Sequence, residues 1–185
     1  MPQPPAARPL RFGGRSCVLR PLTPGDEGRL RAFFDSHTPE TIEDRYGYRR
    51  SVMTQETAAR LVGVDPKDGL ALGLFEQGPG GEILHAVGRF CTSQDGTSAE
   101  LAFVVRESLR RHGIGGTLLR SLVQAARKWG LRELWAQVGE TNSAMRRLFD
   151  HHGFTLEDKG LRGEGTVKFH IVLANSCGVG RHRRP

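Results

Sequence analysis

The sequence predicts an α/β fold: a central mixed, mostly antiparallel sheet of six to seven strands, flanked by about four helices. Three observations predict it. Strand-like runs crowd the middle and the end of the chain, amphipathic helical stripes alternate with them, and Gly/Pro-rich joins separate the two kinds. A length of 185 residues suffices for one domain with a buried core. Residues 16–174 read as that domain, 1–15 as a flexible N-terminus and 175–185 as a basic flexible tail.

The elements follow in order. SCVLRPL (16–22) reads as a strand ended by Pro21. Thr23-Pro24-Gly25-Asp26 then starts a helix, with Thr23 as N-cap, Pro24 at the first helical position and Asp26 facing the dipole. Leu30, Phe33 and Phe34 supply its buried stripe. Thr38-Pro39-Glu40 opens a second, shorter helix, and Thr54 caps a further turn or two in MTQETAARLV. GLALGLFEQ (69–77) and ILHAVGRFCTS (83–93) read as strands joined through Gly78 to Gly81. TSAELAFVV (97–105) follows, with Ala99, Leu101, Phe103 and Val105 on one face and Glu100, Ala102 and Val104 on the other.

Ile114, Leu118, Leu119, Leu122, Val123 and Ala126 then form a helical stripe, with Arg127 and Lys128 in the last turn and Gly130 as the stop. LRELWAQVG (131–139) reads as a strand. Asn142 caps a helix carrying Met145, Leu148 and Phe149, which Gly153 ends. FTLE (154–157) and GTVKFHIVL (165–173) are the last strands. The predicted order is β-α-α-β-β-β-α-β-α-β-β.

The composition, 37% hydrophobic and 25% charged, is ordinary for a globular protein. The net charge of +7 calls for an anionic partner: nucleic acid, a membrane surface or a phosphorylated cofactor. GRHRRP at the C-terminus carries three of those arginines, and no aromatic-basic interleaving supports nucleic acid. Cys17, Cys91 and Cys177 are odd in number and far apart, so neither a disulfide framework nor a zinc site is expected. The proline-rich N-terminus has no apolar core of a signal peptide, and no run approaches the ~18 apolar residues of a membrane span. A cytoplasmic, reduced chain without a metal is the expectation.

The chemistry concentrates at LRRHGIGGTLLRSL (109–122). Glycines directly before a good helix let backbone N–H groups approach phosphate oxygens, where the helix dipole also favours negative charge. A Walker loop is excluded, because no Lys-Ser or Lys-Thr follows the glycines. A dinucleotide fingerprint fits poorly, since Leu118 stands at its third glycine. The stretch Arg110-Arg111-His112-Gly113-Ile114-Gly115 instead matches R/Q-x-x-G-x-G/A.

That hexapeptide follows AELAFVV and precedes an amphipathic helix. A second block, Asn142 to Phe149 with His152-Gly153-Phe154, comes after the next strand. Together they resemble the GNAT acetyltransferases over about residues 16–174. The resemblance implies acetyl-CoA as donor, with its diphosphate on the amides of Gly113, Ile114, Gly115, Gly116 and Thr117, near Arg110, Arg111 and His112. It implies a pantetheine arm along Phe103, Val104 and Val105, beside Asn142, Met145 and Phe149. Glu100 lies five residues before Val105, or roughly 16 Å at ~3.3 Å per residue, about the reach of that arm.

An attacking amine must be neutral, yet a lysine pKa of ~10.4 leaves roughly one in a thousand neutral at pH 7.4. Glu100 is the candidate general base, expected to be desolvated among its apolar neighbours. Glu107 and Glu140 fall in predicted loops and read as solvated. The tyrosine that many GNAT enzymes offer as general acid is replaced by Phe149, expected to pack beside the CoA. His151-His152 reads as compensation of a helix C-terminus rather than a metal pair. Trp129 and Trp135 read as core.

DRYGYRR (44–50), EILHAVGRF and AELAFVVRESLRRHGIGGTLL look like the acetyltransferase domain of bacterial Pat-type protein-lysine acetyltransferases. That implies a protein substrate with an exposed lysine, an acyl-CoA synthetase being one candidate. It also implies the glutamate base at Glu100. Regulatory parts fused to such domains have no room in this chain. The acceptor site is expected between the first helices and the last loop, where Glu40, Glu43, Asp44, Glu157 and Asp158 either greet a cationic lysine or polyamine or form a solvated face, the commoner outcome. Two alternatives stand beside this: a small-amine (polyamine or aminoglycoside) acetyltransferase, and a non-catalytic CoA-sensing module.

Overall fold

A computed structural model describes residues 3–46, 52–157 and 165–173 of the chain. The predicted basic tail, Cys177, Asp158, Gly47 to Arg50 of DRYGYRR and the side chain of Asp44 lie outside the described residues. Among the described residues, eight strands form one mixed sheet in the order β1-β2-β3-β4-β5-β6-β8-β7. They are β1 (Arg8–Phe12), β2 (Arg15–Pro21), β3 (Gly69–Gly78), β4 (Gly81–Thr92), β5 (Ser98–Val105), β6 (Glu133–Gly139), β7 (Thr155–Glu157) and β8 (Thr166–Val172). Five α-helices accompany them: α1 (Glu27–Asp35), α2 (Pro39–Tyr46), α3 (Gln55–Val62), α4 (Ile114–Lys128) and α5 (Ser143–His151). The α/β class stands, with more elements than expected.

One extra strand corrects the expectation of a loose N-terminus. Arg8–Phe12 pairs antiparallel with β2, Phe12 facing Arg15 across the turn. Gly13 and Gly14 in that turn have φ of +55° and +80°. A two-residue hairpin with both central residues at positive φ matches the twist of the strands it joins. Leu10 and Phe12 pack against the main core and hold the hairpin down.

The sheet separates two cores. On one face α4 and α5 cover a cluster that includes Leu72, Phe90, Leu101, Leu118, Leu122, Leu134 and Phe169. On the other, α1 to α3 cover Phe33, Phe34, Met53, Val62, Phe75, Val87 and Val104. The helix stripes explain the division: Leu30, Phe33 and Phe34 of α1 are all buried, as are Ile114, Leu118, Leu119, Leu122 and Ala126 of α4. The expected caps are in place. Thr23 and Asp26 form a capping box at the short 3-10 turn Pro24–Asp26, and the Thr54 hydroxyl accepts from the Thr57 N–H. Asp26 is buried and held by two bonds from Arg20, at 2.8 and 2.9 Å. Burial pushes its carboxyl up, but Arg20 and the Thr23 donors hold it down at about 2.

All neighbours in the sheet are antiparallel except β5 and β6, joined by the α4 crossover. Their pairing is short: Ser98 with Glu133, Ala99 with Leu134, Glu100 with Trp135. Beyond that last rung the two strands part, although β5 continues to Val105 and β6 to Gly139.

Candidate active site

Where β5 and β6 part, each strand keeps a backbone edge with no described strand partner. Such an edge is a template for another extended chain carrying amides. The wedge opens into a cavity of about 530 Å³, walled by Leu101 to Val105 on one side and Ala136 to Gly139 on the other. The glycine loop and the start of α4 close one end, and α5 closes a flank through Asn142, Met145, Leu148 and Phe149.

The loop geometry follows from its residues. Gly113 is the N-cap of α4 with φ of +79°, a left-handed conformation that costs glycine little. Thr117 N–H donates to the Gly113 carbonyl at 3.1 Å, so the amides of Ile114, Gly115 and Gly116 precede the first intrahelical bond. Those donors and the positive helix end make an anion cradle. A Cβ at Gly115 would lie 3.2 Å from Leu148 and 3.5 Å from Phe103, inside the cavity wall. The absent side chain is therefore part of the cavity's shape.

Of the residues expected around the donor, all but His112 and Thr117 line this cavity. His112 turns away: its Nδ1 lies 2.9 Å from the Arg110 carbonyl, and its ring sits 3.2 Å from where a Cβ of Gly13 would be. Thr117 donates its hydroxyl to the Gly113 carbonyl. Arg111 is exposed, with φ of +66°. Asn142 caps α5, accepting from the Met145 N–H at 3.1 Å. Arg110 does not reach into the cradle: its Nη2 donates to Thr41 Oγ1 at 2.7 Å and its Nε to the Val105 carbonyl at 3.3 Å.

Three expectations need correction, and Phe149 has a second role besides the expected one. Glu100 is exposed, not desolvated on its strand. On that face the buried cluster under α1 to α3 reaches β5 at Val104 and does not include Glu100. Phe149 lines the cavity but is 1% exposed, stacked on Phe169 at 5.5 Å and edge-on to Phe154 at 4.8 Å. Its ring is core first and cavity wall second. Glu107 is not a solvated loop residue, because Thr38 N–H donates to it at 3.1 Å and His37 Nδ1 lies 3.0 Å away. His152 is disfavoured as a cation at the end of α5. Burial, and then Arg120, hold its pKa below the usual histidine value. The tryptophans divide: Trp129 packs edge-on against core Phe90, while Trp135 lies half-buried under Lys168.

Thr41, Gln137 and Ala144 also line the cavity and were not anticipated. Gln137 had a readable signal, since the period of β6 puts it on the face of Trp135. Thr41 had none, because only the fold brings α2 to the end of β5.

Residues 31–154 match the model of the acetyltransferase (GNAT) family. The chain is 32% identical over 151 residues to acetyltransferase Pat of Mycolicibacterium smegmatis, covering 80% of this chain and 44% of that protein. It thus spans less than half the length of that relative. The GNAT domain of S. lividans PAT has the same fold, with a TM-score of 0.80 at 24% identity over 92% of this chain and all of that domain. So does yncA from Salmonella typhimurium, solved with its cofactor acetyl-CoA, with a TM-score of 0.69 at 19% identity over 88% of this chain and 96% of that one. The chain belongs to the GNAT family of N-acetyltransferases, which take their acetyl group from acetyl-CoA.

Proposed function

We propose that this enzyme acetylates the ε-amine of a protein lysine directly from acetyl-CoA, with Glu100 as general base. The observation that carries this reading is the parting of β5 and β6 at Glu100. The carboxylate stands on the last shared rung, so an arm seated in the wedge ends beside it. The open strand edges of Leu101 to Val105 and Ala136 to Gly139 would hold the arm. Ile114, Gly115 and Gly116 would hold the diphosphate, with Arg110 and Arg111 nearby.

Glu100 takes the proton of the incoming ammonium, directly or through water. The amine nitrogen then bonds to the carbonyl carbon, the carbon–sulfur bond breaks, CoA leaves as its thiolate, and the second proton of the nitrogen passes to water. Phe149 offers that thiolate no proton. Exposure of Glu100 supports a macromolecular acceptor, because a lysine on a protein surface reaches an exposed carboxylate without entering a closed pocket. The likeness to Pat supports it independently. An acyl-CoA synthetase remains the first acceptor to try, and the cytoplasm the compartment in which to look.

The test is Glu100→Gln with a lysine-bearing protein acceptor. Turnover should fall about a hundredfold or more at pH 7.4, with the acetyl-CoA KM within about threefold. Turnover that is unchanged between pH 6 and 9 would remove Glu100 from the proton transfer. Saturation by a free polyamine, with proteins left untouched, would assign a small-amine acceptor instead. Donor binding with no transfer to any amine would leave a CoA-sensing module.

A further inference from the structure

One carboxylate joins the two substrate sides. Glu107 stands in the short 3-10 turn Glu107–Leu109, between β5 and the glycine loop. Its Oε1 accepts from the Thr38 N–H at 3.1 Å, at the first turn of α2. Its Oε2 lies 3.0 Å from His37 Nδ1, on a side chain only 2% exposed. The other ring nitrogen of His37, Nε2, is buried with no partner among the described residues, so the imidazole is committed to Glu107.

Toward the donor side, Arg110 Nη2 lies 3.7 Å from Glu107 Oε1. The same Arg110 bonds Thr41 of α2 and the last carbonyl of β5. Burial pushes the Glu107 carboxyl up, but donors from Thr41, the backbone and His37 bring it down to about 2. It is therefore charged at any working pH, and it faces the positive end of the α2 dipole. The links span about seventy residues of sequence, from His37 to Glu107 and from Thr41 to Arg110.

We propose that Glu107 is a positioning residue that couples the donor to the acceptor wall. Seating a diphosphate on Gly113 to Gly116 orders the loop that carries Arg110, and the bonds of Arg110 to Thr41 and Glu107 pass that order to α2. The coupling rests on the donor seating proposed above. It requires no new contact, because ordering one segment lowers the freedom of the segment bonded to it.

Amide hydrogen exchange of residues 38–43 in the full chain, with and without acetyl-CoA, tests this. In the wild type, bound acetyl-CoA should slow exchange about tenfold. Glu107→Gln should keep the acetyl-CoA Kd within about threefold and lose that slowing. Thr41→Val, which keeps the bond from Thr38 to Glu107, should lose part of it. A Glu107 that only supports the fold would raise exchange equally in both states, preserving the ratio and overturning the coupling. Indifference of wild-type α2 to bound acetyl-CoA would overturn it too, as would a Kd weakened far beyond threefold. Absence of acetyl-CoA binding to the wild type, by calorimetry, would instead sink the donor seating, and the coupling with it.

Discussion

The two faces of the sheet are built on different principles. On the α4 and α5 face, the candidate donor site is made of backbone: a strand edge, a left-handed Gly113 and three amides ahead of the first intrahelical bond. On the α1 to α3 face, the polar contacts are made by side chains reaching across the fold, with the Thr38 N–H as a backbone donor among them. Arg20 holds Asp26, His37 and Thr38 hold Glu107, and Arg110 holds Thr41. Backbone sites are specified by a few consecutive residues, side-chain networks by residues far apart.

The sharpest way to break one face alone is Gly115→Trp. The indole would extend from a position already 3.2 Å from Leu148 and fill the cavity. We expect about a thousandfold loss of acetyl-CoA affinity, or ~4 kcal/mol, by calorimetry. Retained affinity would place the diphosphate elsewhere. The thermal midpoint should stay above room temperature, since the lost space is cavity rather than core.

The matching change on the other face is Asp26→Asn. It leaves the Thr23 contact but removes the charge that Arg20 and Arg29 share on a buried carboxylate. The expected cost is about 2 kcal/mol in urea unfolding, with acetyl-CoA affinity unchanged. A loss of affinity would mean that the two faces are not separable.

The smallest effect sharpens the contrast by pH. His37 on one face and His152 on the other both have pKa values held below the usual histidine value by burial. In the unfolded chain both return to ~6.5, so below that pH the unfolded state binds more protons and stability falls with acidity. Asp26 and Glu107 sit near 2 and do not titrate in this window. The thermal midpoint should drop by roughly 3 °C from pH 7 to 5.5. His152→Asn and His37→Asn should each remove part of the drop; a flat profile in the wild type would contradict both.

This division also explains what could be read in the sequence. The stripe of α4, the loop before it and the capping Asn142 are local signals, and the structure puts them where the periodicity did. The first hairpin was hidden because prolines at its start suggested a loose end, while the real determinant was Phe12-Gly13-Gly14-Arg15. Glu107 looked solvated because its partners lie near residue 40, and no local pattern announces them. The depth of Phe149 came from Phe154 and Phe169, which close over it only after β7 and β8 have folded back. Glu100 was read correctly as a mid-strand residue, but its exposure depends on where the helices on its face stop.

The short pairing of β5 and β6 has a consequence for the life of the protein. Under the proposed seating, the donor's arm is a guest strand, and the seam between β5 and β6 beyond its three shared rungs is filled only while the guest is present. Loading would then stabilise the fold by mass action, by about 2.7 kcal/mol when acetyl-CoA is at 100 times its Kd. Scarcity of the donor would leave a chain that opens more often at its seam. Its susceptibility to proteases would thus track the supply of acetyl-CoA, making the abundance of the enzyme a slow gauge of the metabolite it consumes.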